Sequence, residues 1–190
     1  PLVSALTVIV GRPVKLVLTR QEDLTSANPA PRSMITVKSG MKNDGMLQAM
    51  EVSLAYDAGA YPGAPAAVGA LLSSSFYQWP NLKADGYEVL TNHVSVGAIR
   101  APGTHNAMHA VEQNIDEMAT LAGLDAAEVR AKNVSKTGDP MASGQDFTTI
   151  GLEETLAAAR EHPLWTEREA ARAGSTETRT RSFAYFSMRP

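Results

Sequence analysis

The sequence predicts an α+β domain, a mixed or antiparallel sheet with separately packed helices, on three observations. A hairpin is written into two alternating runs, Met34 to Lys38 and Met46 to Tyr56, joined by the turn residues Asn43-Asp44-Gly45. A long amphipathic helix is written into Ala107, Val111, Ile115, Met118, Ala119 and Ala122, which recur at helical spacing. Strand pairs interleaved with separate helices argue against a doubly wound parallel sheet.

In chain order, Leu2 to Val10 is an apolar run that suits a buried helix or a strand, because periodicity does not separate the two. Gly11-Arg12-Pro13 ends it, and Val14 to Thr19 follows as a short β-rich run bounded by Arg20-Gln21-Glu22-Asp23. Asn28 to Arg32 is a Pro-rich connector. In the second strand of the hairpin, Met46, Gln48, Met50, Val52, Leu54 and Tyr56 fall on one face. Asp57 to Pro65 is dense in glycine and proline and reads as a loop, Pro65 to Phe76 as a helix, and Leu82 to Val96 as extended chain. Thr104 is the expected N-cap of the long helix and Gly123 its stop. Asp125 caps a shorter helix through Lys132, and Gly138-Asp139-Pro140 makes a turn. Leu152 to Glu161 and Leu164 to Ala173 are helices split by Pro163.

The composition narrows the function. With 190 residues, 44% hydrophobic and 19% charged, the chain is long enough for one domain with its own core. A net charge of −3 gives no footprint for nucleic acid. No apolar run approaches the roughly 20 residues of a membrane span, and Leu2 to Val10 lacks the basic start of a signal peptide. The absence of cysteine excludes disulfides, thiolate zinc sites and any iron–sulfur cluster ligated by this chain, and fits a cytoplasmic protein. Pro1 is no initiator, so the sequence is expected to be an internal piece of something larger.

Three segments are candidates for chemistry. Gly97-Ala98-Ile99-Arg100-Ala101-Pro102-Gly103-Thr104 places an arginine between extended chain and a helix start. Helix N-termini gather free N–H groups and partial positive charge, and a guanidinium adds a fork of donors. The segment suits either an anionic ligand or an ordinary solvent-facing loop. His105, His109 and Glu112 share one helix face at i, i+4 and i+7, a spacing open to metal ligation but more often met as groove-lining polar residues. Glu112, beside the apolar stripe, suits a catalytic base or, better, a structural hydrogen-bond anchor. Gly59 to Pro65 lacks the strand-and-helix context of a dinucleotide loop.

Several segments taken in order resemble one family. Gly11 to Asp23 looks like a GRPV-(K/R)-x-x-x-x-R-x-E-D stretch, and Asn43-Asp44-Gly45 with the strand to Tyr56-Asp57-Ala58-Gly59-Ala60-Tyr61 is similar to the hairpin that follows it. Tyr77, Trp79-Pro80-Asn81, Gly97 to Gly103, Glu112 to Ala119, Glu128-Val129-Arg130-Ala131-Lys132-Asn133, Gly138-Asp139 and a Phe147 to Ala158 helix continue the likeness, over about residues 1 to 169. The family is that of the large, molybdopterin-binding subunits of the xanthine dehydrogenase, aldehyde oxidase and carbon monoxide dehydrogenase group of molybdenum hydroxylases.

That resemblance implies an oxidoreductase hydroxylating an aldehyde or N-heteroaromatic carbon with oxygen from water, at a molybdenum–molybdopterin cofactor in a dinucleotide form. Electrons would leave through iron–sulfur clusters and FAD on partner subunits or domains. Carried over by position, Arg100 would contact the cofactor with backbone help from Ala98, Ile99 and Ala101. Pro102 and Val68 would face the small-molecule substrate. Pro102 stands where xanthine enzymes carry an aromatic residue and Val68 where they carry an arginine, so purine is disfavoured. Ala101 stands where carbon monoxide dehydrogenases carry a copper-holding cysteine. Residues 1–174 would be a partial cofactor-binding domain and 175–190 a divergent, disordered tail. No catalytic residue and no directly bound metal are expected within the chain. The glycine-rich loop would lie just upstream of Pro1 and the catalytic glutamate far downstream, in a second half of the large subunit, so this piece alone would be inactive. The alternative is a non-catalytic scaffold derived from the same fold.

Overall fold

The hairpin forms as the alternation requires: β1 (Ser33–Met41) pairs antiparallel with β2 (Leu47–Gly59) in the computed structural model, which describes residues 1–167. Asp44 makes the turn by accepting from Met46 N at 3.0 Å, while Gly45 takes φ 89°, the region glycine enters without a Cβ clash. Met50, Val52, Leu54, Tyr56 and Ala58 are all buried. Sliding the register by one residue would expose this row, at about 1.5–3 kcal/mol for each large side chain. The predicted face fails only at its start. The register shifts between Gly40 and Met41, leaving Gln48 without an opposite residue, so Leu47 is buried and Met46 exposed.

β2 is central. Its other neighbour, β3 (Asn81–Leu90), runs parallel to it, giving a mixed sheet of order β1-β2-β3 among the described residues. Parallel strands need a crossover, and α3 (Ala66–Ser73) supplies it. The sheet face carrying Val52, Leu54 and Tyr56 packs against α3 and the long helix α4 (Thr104–Ala122), through Ala107, Met108, Val111, Ile115 and Ala119. Met108 joins the core although the stripe omitted it, and Ala122 at the helix end is exposed. Gly69 lets α3 approach: a Cβ there would lie 2.6 Å from the Tyr56 hydroxyl. α5 (Ala126–Asn133) starts at Asp125, whose carboxylate accepts from Ala127 N and Glu128 N at 2.9 and 3.1 Å. α6 (Leu152–Glu161) and the short α7 (Pro163–Thr166) build a second cluster around Ala127, Val134 and Leu156.

Other boundaries differ from expectation. Leu2 to Val10 is the helix α1 (Leu2–Val10), with no buried residue. Val14 to Thr19 forms no strand, because a strand needs a neighbour and the described residues offer it none. The charged run after it is a helix, α2 (Arg20–Ser26), held by a capping box between Thr19 and Glu22. β2 extends into the expected loop as far as Gly59, while the extended chain after Asn81 keeps strand pairing only to Leu90. The Pro65–Phe76 helix is trimmed to α3, and the Phe147–Ala158 helix begins only at Leu152. Of the expected Leu164–Ala173 helix, α7 holds Leu164 to Thr166 and ends at Glu167, and the rest of that span, like the tail at 175–190, lies outside the described residues.

Candidate functional site

Because β2 and β3 are parallel, they end together, and the chain leaving each enters a helix from the same side. In α/β crossovers ligands gather there, outside the carboxyl ends of the strands. The β2–α3 loop and the long segment 91–103 meet at this end. Segment 91–103 is sewn to its surroundings by backbone bonds. Thr91 N donates to Gly59 O at 2.9 Å, Ala60 N to His93 O at 3.0 Å, and Gly97 N to Pro29 O at 2.9 Å. Asn28 Nδ2 adds a bond to Ser95 O at 2.9 Å.

The far end of the segment is fixed by the core. Gly103, at φ 69°, replaces the expected Thr104 as the N-cap of α4, and Thr104 is the first helical residue and buried. A Cβ at Gly103 would lie 2.8 Å from Pro65 O, so only glycine lets the starts of α3 and α4 touch. Tyr56 OH, from the buried row of β2, donates to Gly103 O at 2.7 Å. Burial pushes that phenol up to about 12, which keeps the hydroxyl protonated and donating.

Between these anchors lies the predicted arginine loop. Arg100 is exposed, as are Ala98 and Ile99. The backbone N–H groups of Ala98, Ile99, Arg100 and Ala101 have no intramolecular acceptor among the described residues. No side chain caps α4. Four consecutive free donors, an exposed guanidinium and an uncapped helix start form a donor set suited to an anionic, oxygen-rich group. Pro102 directly precedes the N-cap, and Val68, 40% exposed, lies in the first turn of α3, so both begin from the Pro65–Gly103 contact.

Asp57 organises the neighbouring strand end. Its carboxylate accepts from Thr91 Oγ1 at 2.6 Å and Gly59 N at 2.9 Å and pairs with His93 Nδ1 at 2.7 Å. The Thr91 bond first, then those of His93 and Gly59, hold its pKa down from 3.8 to about 2. A depressed carboxylate stabilises the fold fully above its unfolded value and loses that contribution as pH falls through the folded value. The urea midpoint should therefore drop between about pH 4 and about pH 2 more steeply in the wild type than in Asp57→Asn. Parallel profiles would show that the cluster holds nothing together.

The helix-face trio does not converge. His109 is exposed, His105 Nδ1 bonds Ala101 O at 3.1 Å, and Glu112 is fully buried elsewhere. Among the described residues no group of three or more His, Cys, Asp or Glu side chains is placed to hold a metal ion. Glu112 is the structural anchor that the sequence favoured. Its Oε1 accepts from Tyr77 OH at 2.8 Å and its Oε2 from Arg130 Nε at 2.7 Å, while Arg130 also reaches Asp116 Oδ1 at 2.7 Å. Burial alone would lower the pKa of Arg130, but the carboxylate charges of Glu112 and Asp116 and the hydrogen bond to Asp116 outweigh it, and the net direction is upward. Asn133 completes the scaffold by bonding Leu47 N, Gly45 O and Val129 O at 2.9, 2.8 and 2.7 Å, locking the hairpin turn to α5. Sequence reasoning gave Arg130 and Asn133 no role, although their i, i+3 spacing on one helix was a signal.

Residues 1–134 match the molybdopterin cofactor-binding domain model. The chain belongs to that family. Among its relatives is the nicotinate dehydrogenase large molybdopterin subunit of Eubacterium barkeri, 33% identical over 162 residues, covering 83% of this chain and 38% of that protein. The aldehyde oxidoreductase of Megalodesulfovibrio gigas is 32% identical over 162 residues, covering 84% of the chain and 18% of that protein. The chain therefore spans well under half the length of these relatives. The solved aldehyde oxidoreductase from Desulfovibrio gigas superposes with TM-score 0.76 at 30% identity, over 93% of this chain and 20% of that chain. Quinoline 2-oxidoreductase from Pseudomonas putida 86 gives TM-score 0.75 at 27% identity, over 90% of this chain and 23% of that chain. No helix among the described residues is long and apolar enough to cross a membrane.

Proposed function

We propose that the domain, residues 1–174, lines the cofactor site of a molybdenum hydroxylase through the loop Ala98-Ile99-Arg100-Ala101. The observation that carries this is the run of four free amides beside an exposed guanidinium, at the strand ends where two helices begin. These donors fit the anionic oxygens of a molybdenum–molybdopterin group, and of the phosphates of a dinucleotide form. When bound, that group supplies the oxygen-transfer and two-electron chemistry. The protein's own part is to orient it, with the loop held by Tyr56, Pro65 and Pro29.

The substrate in this reading is an aldehyde or an N-heteroaromatic compound. Pro102 and Val68 offer it apolar contact and no cation, which disfavours a purine. Iron–sulfur clusters and FAD belong to partner subunits or domains, the catalytic glutamate to the remaining half of the large subunit, and the assembly to the cytoplasm. A non-catalytic scaffold is the weaker reading, since it gives no reason to keep four unpaired amides next to an arginine.

The test is the molybdenum and pterin content of the purified longer protein carrying Arg100→Ala. Charge-assisted hydrogen bonds contribute about 1.5–3 kcal/mol, so retention at limiting cofactor should fall about tenfold or more. Wild-type content in that variant would remove the loop from the site.

A further inference from the structure

Ala101 is the non-glycine residue with positive φ, 60°, among the described residues. L side chains rarely adopt that conformation, and it persists only where surroundings hold it. It sits directly after Arg100 and closes the run of free amides, so the direction in which those donors point depends on it. Two groups hold its carbonyl: Thr104 N at 3.1 Å and His105 Nδ1 at 3.1 Å. The first is a backbone bond that any residue except proline would make at position 104. The second depends on the side chain at position 105, here an imidazole nitrogen. A carbonyl can only accept, so Nδ1 carries the hydrogen in this contact.

We infer that His105 is a positioning residue: its imidazole clamps the Ala101 carbonyl and so sets the aim of the 98–101 amides and of Arg100. The assignment rests on the reading of that loop as the cofactor contact. His105 is partly buried in the first turn of α4, where α4 is itself anchored by the Tyr56 bond to Gly103, so the clamp joins the loop to the core by a short path. Such a side chain leaves the chemistry to others and removes loop conformations that cannot hold the ligand.

The clamp and simple packing make different predictions. In the longer protein, His105→Ala should retain about fivefold less molybdenum at limiting cofactor, equivalent to about 1 kcal/mol. His105→Asn, whose amide nitrogen can stand where Nδ1 stands, should restore retention. Glycine takes φ 60° without strain, so Ala101→Gly placed in the His105→Ala background should recover most of the lost urea midpoint. Equal defects in His105→Ala and His105→Asn, or no coupling between positions 101 and 105, would overturn the inference. So would wild-type metal content in His105→Ala when Arg100→Ala is emptied. Should Arg100→Ala keep its metal, the cofactor reading fails, and the 101–105 coupling in the urea midpoint then decides the clamp separately.

Discussion

Arg130→Met is expected to destabilise the domain by about 3–5 kcal/mol, read as a lowered urea midpoint with unchanged slope. The guanidinium is almost wholly buried, as is Glu112, and its bonds reach the Glu112 and Asp116 carboxylates and the carbonyls of Ala126 and Glu112. Removing it leaves a buried carboxylate whose one other side-chain partner among the described residues is Tyr77, a phenol that burial and then the charge of Glu112 hold well above its ordinary pKa. That phenol cannot neutralise the carboxylate. Methionine fills similar volume, so the loss measures the stranded charge rather than a cavity. The double variant Glu112→Leu with Arg130→Met should recover much of the loss, because replacing both partners of a buried pair by apolar residues is often close to neutral. A loss below about 1 kcal/mol in the single variant would show that other contacts join α4 to α5.

The hairpin was legible because period-2 alternation and Asn-Asp-Gly are local properties, and Tyr56, Leu54 and Val52 lie on the core face the alternation assigned. What depends on a distant partner was not legible. Alternation in β3 says nothing about its parallel neighbour, and the bulge that flips Met46 and Leu47 belongs to the pairing, not to either strand. Val14 to Thr19 has the composition of a strand but no described neighbour to pair with. The helix after it was missed although Thr19-Arg20-Gln21-Glu22 spells a capping box, a signal that is local and readable. At the site, the sequence located Arg100 between extended chain and α4. It could not show that Ala101 turns to positive φ, that Gly103 rather than Thr104 caps the helix, or that four amides stay unpaired. The cap at Gly103 depends on Tyr56 and Pro65, residues far from the loop in sequence. For Glu112 the rule that a buried carboxylate must be bonded gave its role, while its partner lay 18 residues away.

Gly59→Ala should be nearly as damaging, at about 3–4 kcal/mol, for a steric reason. Gly59 has φ 71°, and a Cβ there would lie 2.1 Å from Val94 O, 2.6 Å from Val94 C and 2.9 Å from Ser95 Cα. All three are backbone atoms, so no side chain can rotate away. The end of β2 must instead part from the 91–97 segment, straining the bonds of Thr91 N to Gly59 O, Ala60 N to His93 O and Val96 N to Ala58 O. Gly123→Ala is the matched control. Gly123 has φ 69° and ends α4, but a Cβ there meets nothing within 4 Å, so it isolates the conformational penalty of about 1–2 kcal/mol. The difference between the two losses is the cost of prising the segments apart, and equal losses would mean that the close approach at Val94 carries no stability. Segment 91–97 runs directly into the 98–101 loop, so Gly59→Ala should also lower cofactor retention, whereas Gly123→Ala, at the opposite end of α4, should leave it intact.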